Sequence, residues 1–253
     1  MVKNQSTSDS NYFYVMFCLF LLIVFLGFAP SFYLKFLVTE QPYYPKGLPL
    51  PYIFHGVVLT IWYVFLVIQS GWIRFEKISI HRKMGWFGAF WAVFVVSSTL
   101  WVISIFPGRM EQLAADLGQT VDEVEPGLYF ILWLDLFMSI LFVAFAGLGI
   151  KNRNKPEIHK RLMLYSGLVF LFAATGRIGG ILGYLLGMEI GLAVSVLLLF
   201  GLSVSLPVYD YRKKSSVMPV SWICFGLYWL ATLLSFLIGN SEWGVALMVG
   251  VFG

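Results

Sequence analysis

"HRKMGWFGAFWAVFVVSSTLWVISIF" runs from His81 to Phe106. After Lys83 no ionisable residue appears until Arg109. The uncharged block 84–106 would be ~35 Å long as a helix, at ~1.5 Å per residue, and a hydrocarbon core of ~30 Å needs about that length. Its apolar residues are continuous rather than alternating, which selects a helix over a barrel strand. Six more blocks read the same way: 12–35, 52–74, 128–150, 161–187, 190–209 and 217–239. The chain of 253 residues is 59% hydrophobic and 12% charged. A water-soluble domain carries about 25% charged residues, so this chain lacks the charge to cover a wetted surface. The expected fold is all-α, a seven-transmembrane helix bundle.

The breaks between blocks are chemically distinct. "TEQPYYPKGLPLP" (39–51) has the proline and glycine density of a loop. "FPGRMEQLAADLGQTVDEVEPG" (106–127) is acidic, and its "MEQLAADLG" part predicts a short surface helix ended by Gly118. "KNRNKPEIHKR" and "YDYRKKSS" are basic. Residues 1–11 read as a polar tail, 12–239 as a single membrane domain, and 240–253 as a short interfacial segment. The first apolar run is too long for a typical signal-peptide core and reads as a retained span. Cys18 and Cys224 both lie in apolar blocks and read as core residues.

Cations occupy alternate loops: Arg74, Lys77, Arg82 and Lys83; then Lys151, Arg153, Lys155, Lys160 and Arg161; then Arg212, Lys213 and Lys214. The intervening loops hold only Lys35, Lys46 and Arg109. Cytoplasmic loops are the Lys/Arg-rich ones, so the N-terminus is expected inside, the C-terminus outside, in a plasma (inner) membrane. The net charge of +4 is thereby a matter of topology. The basic loops would meet anionic lipid headgroups, and nucleic acid is not an expected partner.

Two of the three histidines sit in near-matching phrases, "ISIHRKMGWFG" (78–88) and "PEIHKRLMLYSG" (156–167). Each opens a span that leaves a basic loop. Hairpins 2–3 and 4–5 therefore read as two copies of one unit, with His55 and Asp135 in similar upstream positions. The competing reading is that any loop entering a span needs interfacial cations, which explains the Arg and Lys alone.

Ionisable side chains at membrane depth are costly and mark function or a buried pair. His55, Asp135 and Arg177 all fall in the outer halves of their spans. Trp62 and Gln69 share a helical stripe with His55 at intervals of seven residues. Around Arg177, "GRIGGILGYLLG" spaces glycines four apart, as at close helix contacts. Three readings stay open. An Arg177–Asp135 pair clamps the bundle; or it belongs with His55, Trp62 and Gln69 to a small-ligand or proton site; or Arg177 faces an outer vestibule and pairs with Glu189. In a ligand site Arg177 would anchor an anion and His55 would exchange protons. The small-ligand or proton site is the leading functional reading; a b-type haem electron carrier and a structural or assembly subunit are the alternatives, and whether the protein is an enzyme stays open.

No Cys-x-x-Cys or His-x-x-x-His spacing appears, which disfavours a protein-caged metal. A b-type haem needs only two opposed axial side chains. His81 and His159, at one depth on two helices, are compatible with that, but both lie at the wet edge and each is followed by two cations, surroundings that favour the lipid-headgroup reading and suit a haem propionate as well. No lysine lies in span seven, so a retinal Schiff base is not supported.

The ordered set His55, "HRKMG", "LWLDLF", "EIHKRLM", Arg177 and "YDYR" resembles a family of uncharacterised bacterial multi-pass membrane proteins over about residues 52–240. The resemblance implies that His55, His81, Asp135, His159, Arg177 and Asp210 are the family's characteristic polar positions, and it brings no activity. The histidine hairpins also resemble, more loosely, b-type membrane cytochromes, which implies haem b.

Overall fold

A computed structural model describes residues 2–37, 48–125 and 127–252. Among them there are helices and no strands. Helix α1 covers Val2–Phe28 and continues as a π-helical turn, Ala29–Tyr33, at Pro30. There follow α2 (Leu50–Arg74), α3 (Ile78–Leu117), the short α4 (Val121–Val124), α5 (Leu128–Lys151), α6 (Pro156–Leu168), α7 (Leu171–Leu186), α8 (Met188–Lys214), α9 (Pro219–Gly239) and α10 (Glu242–Phe252). Six of these helices are long and apolar enough to cross a membrane, and α6 with α7, bent by 42°, make the seventh candidate span. The expected all-α bundle is the observed one. Most of the loop 39–51, with Lys46, lies outside the described residues.

The surface is that of a membrane protein. Large apolar side chains such as Tyr184, Met188, Leu197 and Trp86 are exposed along the helices. In water a patch of this extent would drive aggregation; in lipid it faces its own kind. The interior is rich in aromatic residues, with Phe20, Trp62, Phe142, Tyr165 and Tyr228 all buried in one cluster.

Three departures from regular helix have visible causes. Pro207, inside α8, has no N–H for the carbonyl of Ser203. The Tyr165 phenol donates to that carbonyl at 2.7 Å, so the vacancy is filled from α6. The α6–α7 bend follows Gly167, whose carbonyl accepts from the Tyr63 phenol at 2.9 Å. A side chain bonding into the helical ladder is a recognised source of kinks. The third concerns α3. The expected stop at "FPG" is not one: Pro107 lies inside the helix, which runs on to Leu117 and ends at Gly118 in the left-handed conformation. The predicted surface helix is the continuation of span three. Its Met110, Leu113 and Ala114 join Val124, Leu128 and Met248 in a second apolar cluster, and that burial outweighs one lost hydrogen bond.

The basic end of the bundle is knotted by a buried ion pair. Arg161 and Asp210 are 1% and 0% exposed. The guanidinium engages both carboxylate oxygens, Nε donating to Oδ2 at 3.1 Å and Nη2 to Oδ1. Asp210 also accepts from the Ser221 hydroxyl at 2.6 Å and from the Met218 amide at 3.3 Å. Arg161 Nη1 donates to the Glu157 carbonyl and carboxylate at 2.8 and 3.0 Å, and Glu157 meets Lys160 and Lys214 as well. One carboxylate thus ties α6 and α8 to the start of α9.

Removing one partner of a buried pair costs ~3–5 kcal/mol, because the other charge is stranded. Asp210→Ala should lose about that much stability in denaturant unfolding of the detergent-solubilised protein. Arg161→Met combined with Asp210→Leu should recover most of it.

At the acidic end, α4 opens with a capping box. The Thr120 amide donates to Glu123 Oε2 at 2.7 Å, and the Glu123 amide donates to Thr120 Oγ1 at 3.3 Å. The Thr120 N–H and hydroxyl hold the Glu123 carboxyl below its ordinary range. A depressed acid stabilises the fold above its ordinary pKa and loses that contribution as pH falls toward the folded value. Hydrogen exchange at the Val124 amide should therefore accelerate on acidification through the ordinary carboxylate range, beyond the intrinsic trend. Glu123→Gln should abolish that pH dependence.

Candidate functional site

The two histidines of the repeated phrase come together at the basic end. Their ring centroids are 6.2 Å apart, with planes at 78°. Each ring is anchored in the same way. His81 Nδ1 lies 3.2 Å from the carbonyl of Gln69, near the end of α2. His159 Nδ1 lies 2.8 Å from the carbonyl of Gly149, near the end of α5. A carbonyl only accepts, so Nδ1 carries the proton in both rings and Nε2 keeps its lone pair. Among the described residues neither Nε2 has a hydrogen-bond partner.

The hairpins match further up. Trp62 of α2 packs edge-on against Phe142 of α5, ring to ring at 5.2 Å. Two helical turns further along each helix, Gln69 and Gly149 supply the carbonyls that anchor the two histidines. Trp62 and Phe142, and Gln69 and Gly149, are each eighty positions apart, as are His55 and Asp135. His81 and His159 are two fewer.

The expected outer-half constellation is arranged differently. His55 Nδ1 is 3.2 Å from Ser98 Oγ, whose own proton goes to the Val95 carbonyl at 3.1 Å. The imidazole therefore donates to the serine. Asp135 sits half-buried on α5. Among the described residues no ion pair joins it to Arg177. The Arg177 guanidinium lies 4.6 Å from the centroid of the Phe28 ring, a cation–π contact. Nearby, burial pushes the Glu125 carboxyl upward, and the charge of Arg177 opposes that shift. Arg177 thus lies within reach of the acidic loop rather than of Asp135.

The glycine stripe also has another use. Gly179 and Gly183 meet Gly191, Ser195 and Met188 of α8, while a Cβ at Gly176 or Gly180 would enter open space. The close helix contact is α7 with α8, on a different side from Arg177, which is exposed.

Trp62 and Gln69 are buried as their shared stripe predicts, at 1% and 7% exposure. Among the described residues the Trp62 indole N–H and both polar atoms of the Gln69 carboxamide have no hydrogen-bond partner. The Arg161–Asp210 pair is a polar centre that sequence reasoning misses: Arg161 reads there as one of the topology-setting cations, and Asp210 lies 49 positions further on. No group of three or more His, Cys, Asp or Glu side chains suited to a metal ion occurs among the described residues. Comparison with protein-family models, with curated proteins and with solved structures gives no match.

Proposed function

We propose that the protein is a membrane electron carrier that holds a b-type haem between His81 and His159. One observation carries this reading: two imidazoles stand edge to face with ring centres 6.2 Å apart and both Nδ1 protons committed to backbone carbonyls. Ligating histidines characteristically donate their other N–H in this way, which fixes the tautomer and the ring and raises the basicity of the free nitrogen. Two ligands are too few for a protein-caged metal, whereas haem iron draws only its axial pair from the chain.

In this reading His81 and His159 would hold the haem. The carbonyls of Gln69 and Gly149 orient them. Arg82 and Lys83, exposed beside His81, supply positive charge for the carboxylates of the macrocycle. The packed Trp62–Phe142 layer excludes water from the core side. When bound, haem supplies one-electron exchange. The matching hairpins suggest a duplicated unit, and the Lys/Arg-rich end is proposed to face the cytoplasm of a plasma membrane, against anionic headgroups. A single ligand or proton site combining His55, Asp135 and Arg177 has less support, since Arg177 turns to Phe28 and Glu125.

Protein purified after haem-replete expression should show a Soret band in substoichiometric to full yield. His81→Ala and His159→Ala should each lose the bis-imidazole spectrum, while Asp135→Asn and Arg177→Gln should retain it. A colourless wild-type preparation that also fails to take up added haem would remove the proposal.

A further inference from the structure

Helices α1 and α2 lie side by side and run in opposite directions. Tyr14 meets Gly71 and Arg74 toward one end, and Phe32 meets Gly56 toward the other. Along this seam a groove of about 460 Å³ opens, a volume inside the range of roughly 300–1,000 Å³ that small-molecule sites occupy. Leu21, Leu22 and Phe25 of α1 and Val64 of α2 form its walls. Leu22, Phe25 and Val64 are also exposed, so the groove is continuous with the lipid-facing surface. Both helices are long and apolar enough to cross a membrane. What enters the groove therefore comes from the hydrocarbon phase and not from water.

One end of the groove is closed by a local departure from α-helix. Eight residues of regular helix would turn Tyr33 ~80° round the axis from Phe25. Instead the Leu34 amide reaches back five residues to the Ala29 carbonyl at 2.7 Å, the bond of a π-helical turn. The Tyr33 and Phe25 rings stack, with centres 5.2 Å apart. Such turns are rare and are frequent at functional sites. From this position the Tyr33 phenol lies 2.7 Å from Thr60 Oγ1, whose own proton goes to the Gly56 carbonyl at 2.6 Å. Tyr33 therefore donates to Thr60, and neither hydroxyl keeps a proton for a ligand. Cys18, at the far end of the lining, is a weak donor that packs as a small hydrophobe. A phosphate or an ester, which only accepts, finds no strong donor among these side chains. An apolar groove left unfilled forfeits dispersion contacts along its whole lining, and a hydrocarbon chain restores them.

We propose that the α1–α2 groove seats one acyl chain of a bilayer phospholipid as a resident lipid, held by its chain and not by its headgroup. The groove shares no residue with the histidine pair, so this inference stands or falls independently of haem.

The test uses the full chain in phosphatidylcholine nanodiscs doped with a phosphatidylcholine that carries a photoactivatable diazirine on one acyl chain. After illumination, adducts mapped by mass spectrometry should be several-fold denser on Leu21, Leu22, Phe25 and Val64 than on Leu230, Leu233 and Leu237, which are exposed on α9. Val64→Trp and Leu22→Trp fill the groove from opposite walls. Each should remove most of that excess and leave the α9 adducts unchanged, and since both positions are exposed, melting should stay near that of the wild type. Tyr33→Phe deletes the hydroxyl and keeps the ring, and should retain the excess. Equal adduct density on the groove and on α9 would overturn the proposal, leaving only lipid in passing contact. So would an excess that survives both tryptophan variants. Loss of the excess in folded Tyr33→Phe would also overturn it, by showing that a polar group is what binds.

Discussion

A charge removed from water must be answered within the protein, and at the basic end one carboxylate answers almost everything. Asp210 receives a guanidinium, a hydroxyl and a backbone amide. Through them it fixes where α6 begins, where α8 ends and where α9 turns back. Pairing of this quality does not make a fold stable in itself, because desolvation consumes most of the attraction. What it does is make alternatives expensive. Any register in which α6 slid by one residue would strand a cation in a low-dielectric interior. His159, two positions before Arg161, inherits that precision, and its ring is delivered to the Gly149 carbonyl and to His81.

Much of the architecture could be read from composition alone. Apolar blocks of span length, separated by charged or proline-rich breaks, leave a helical bundle as the one arrangement that satisfies the backbone in lipid. The overrun of α3 was not legible. Proline and glycine at 107–108 signal a stop, but a helix already anchored over many turns tolerates one missing hydrogen bond. Whether it continues depends on what its next apolar residues can find, and Met110 and Leu113 find Val124 and Met248, far along the chain.

The site was legible to a similar degree. The doubled His phrase marks the two residues that meet, His81 and His159. The buried stripe of Trp62 and Gln69 follows from heptad spacing. Pairing across helices is where sequence reasoning fails. Arg177 and Asp135 look complementary because each is a charge at similar depth, yet depth says nothing of azimuth, and Arg177 lies over Phe28. Arg161 and Asp210 were each visible, but nothing local distinguishes a cation that sets topology from one that is swallowed by the core.

The length of α3 has a consequence of its own. Forty residues of helix extend ~60 Å, about twice a hydrocarbon core of ~30 Å. The helix is therefore longer than one crossing needs, and its surplus turns join α4, α5 and α10 in a separate apolar interior that includes Met110, Leu113, Val124, Leu128 and Met248.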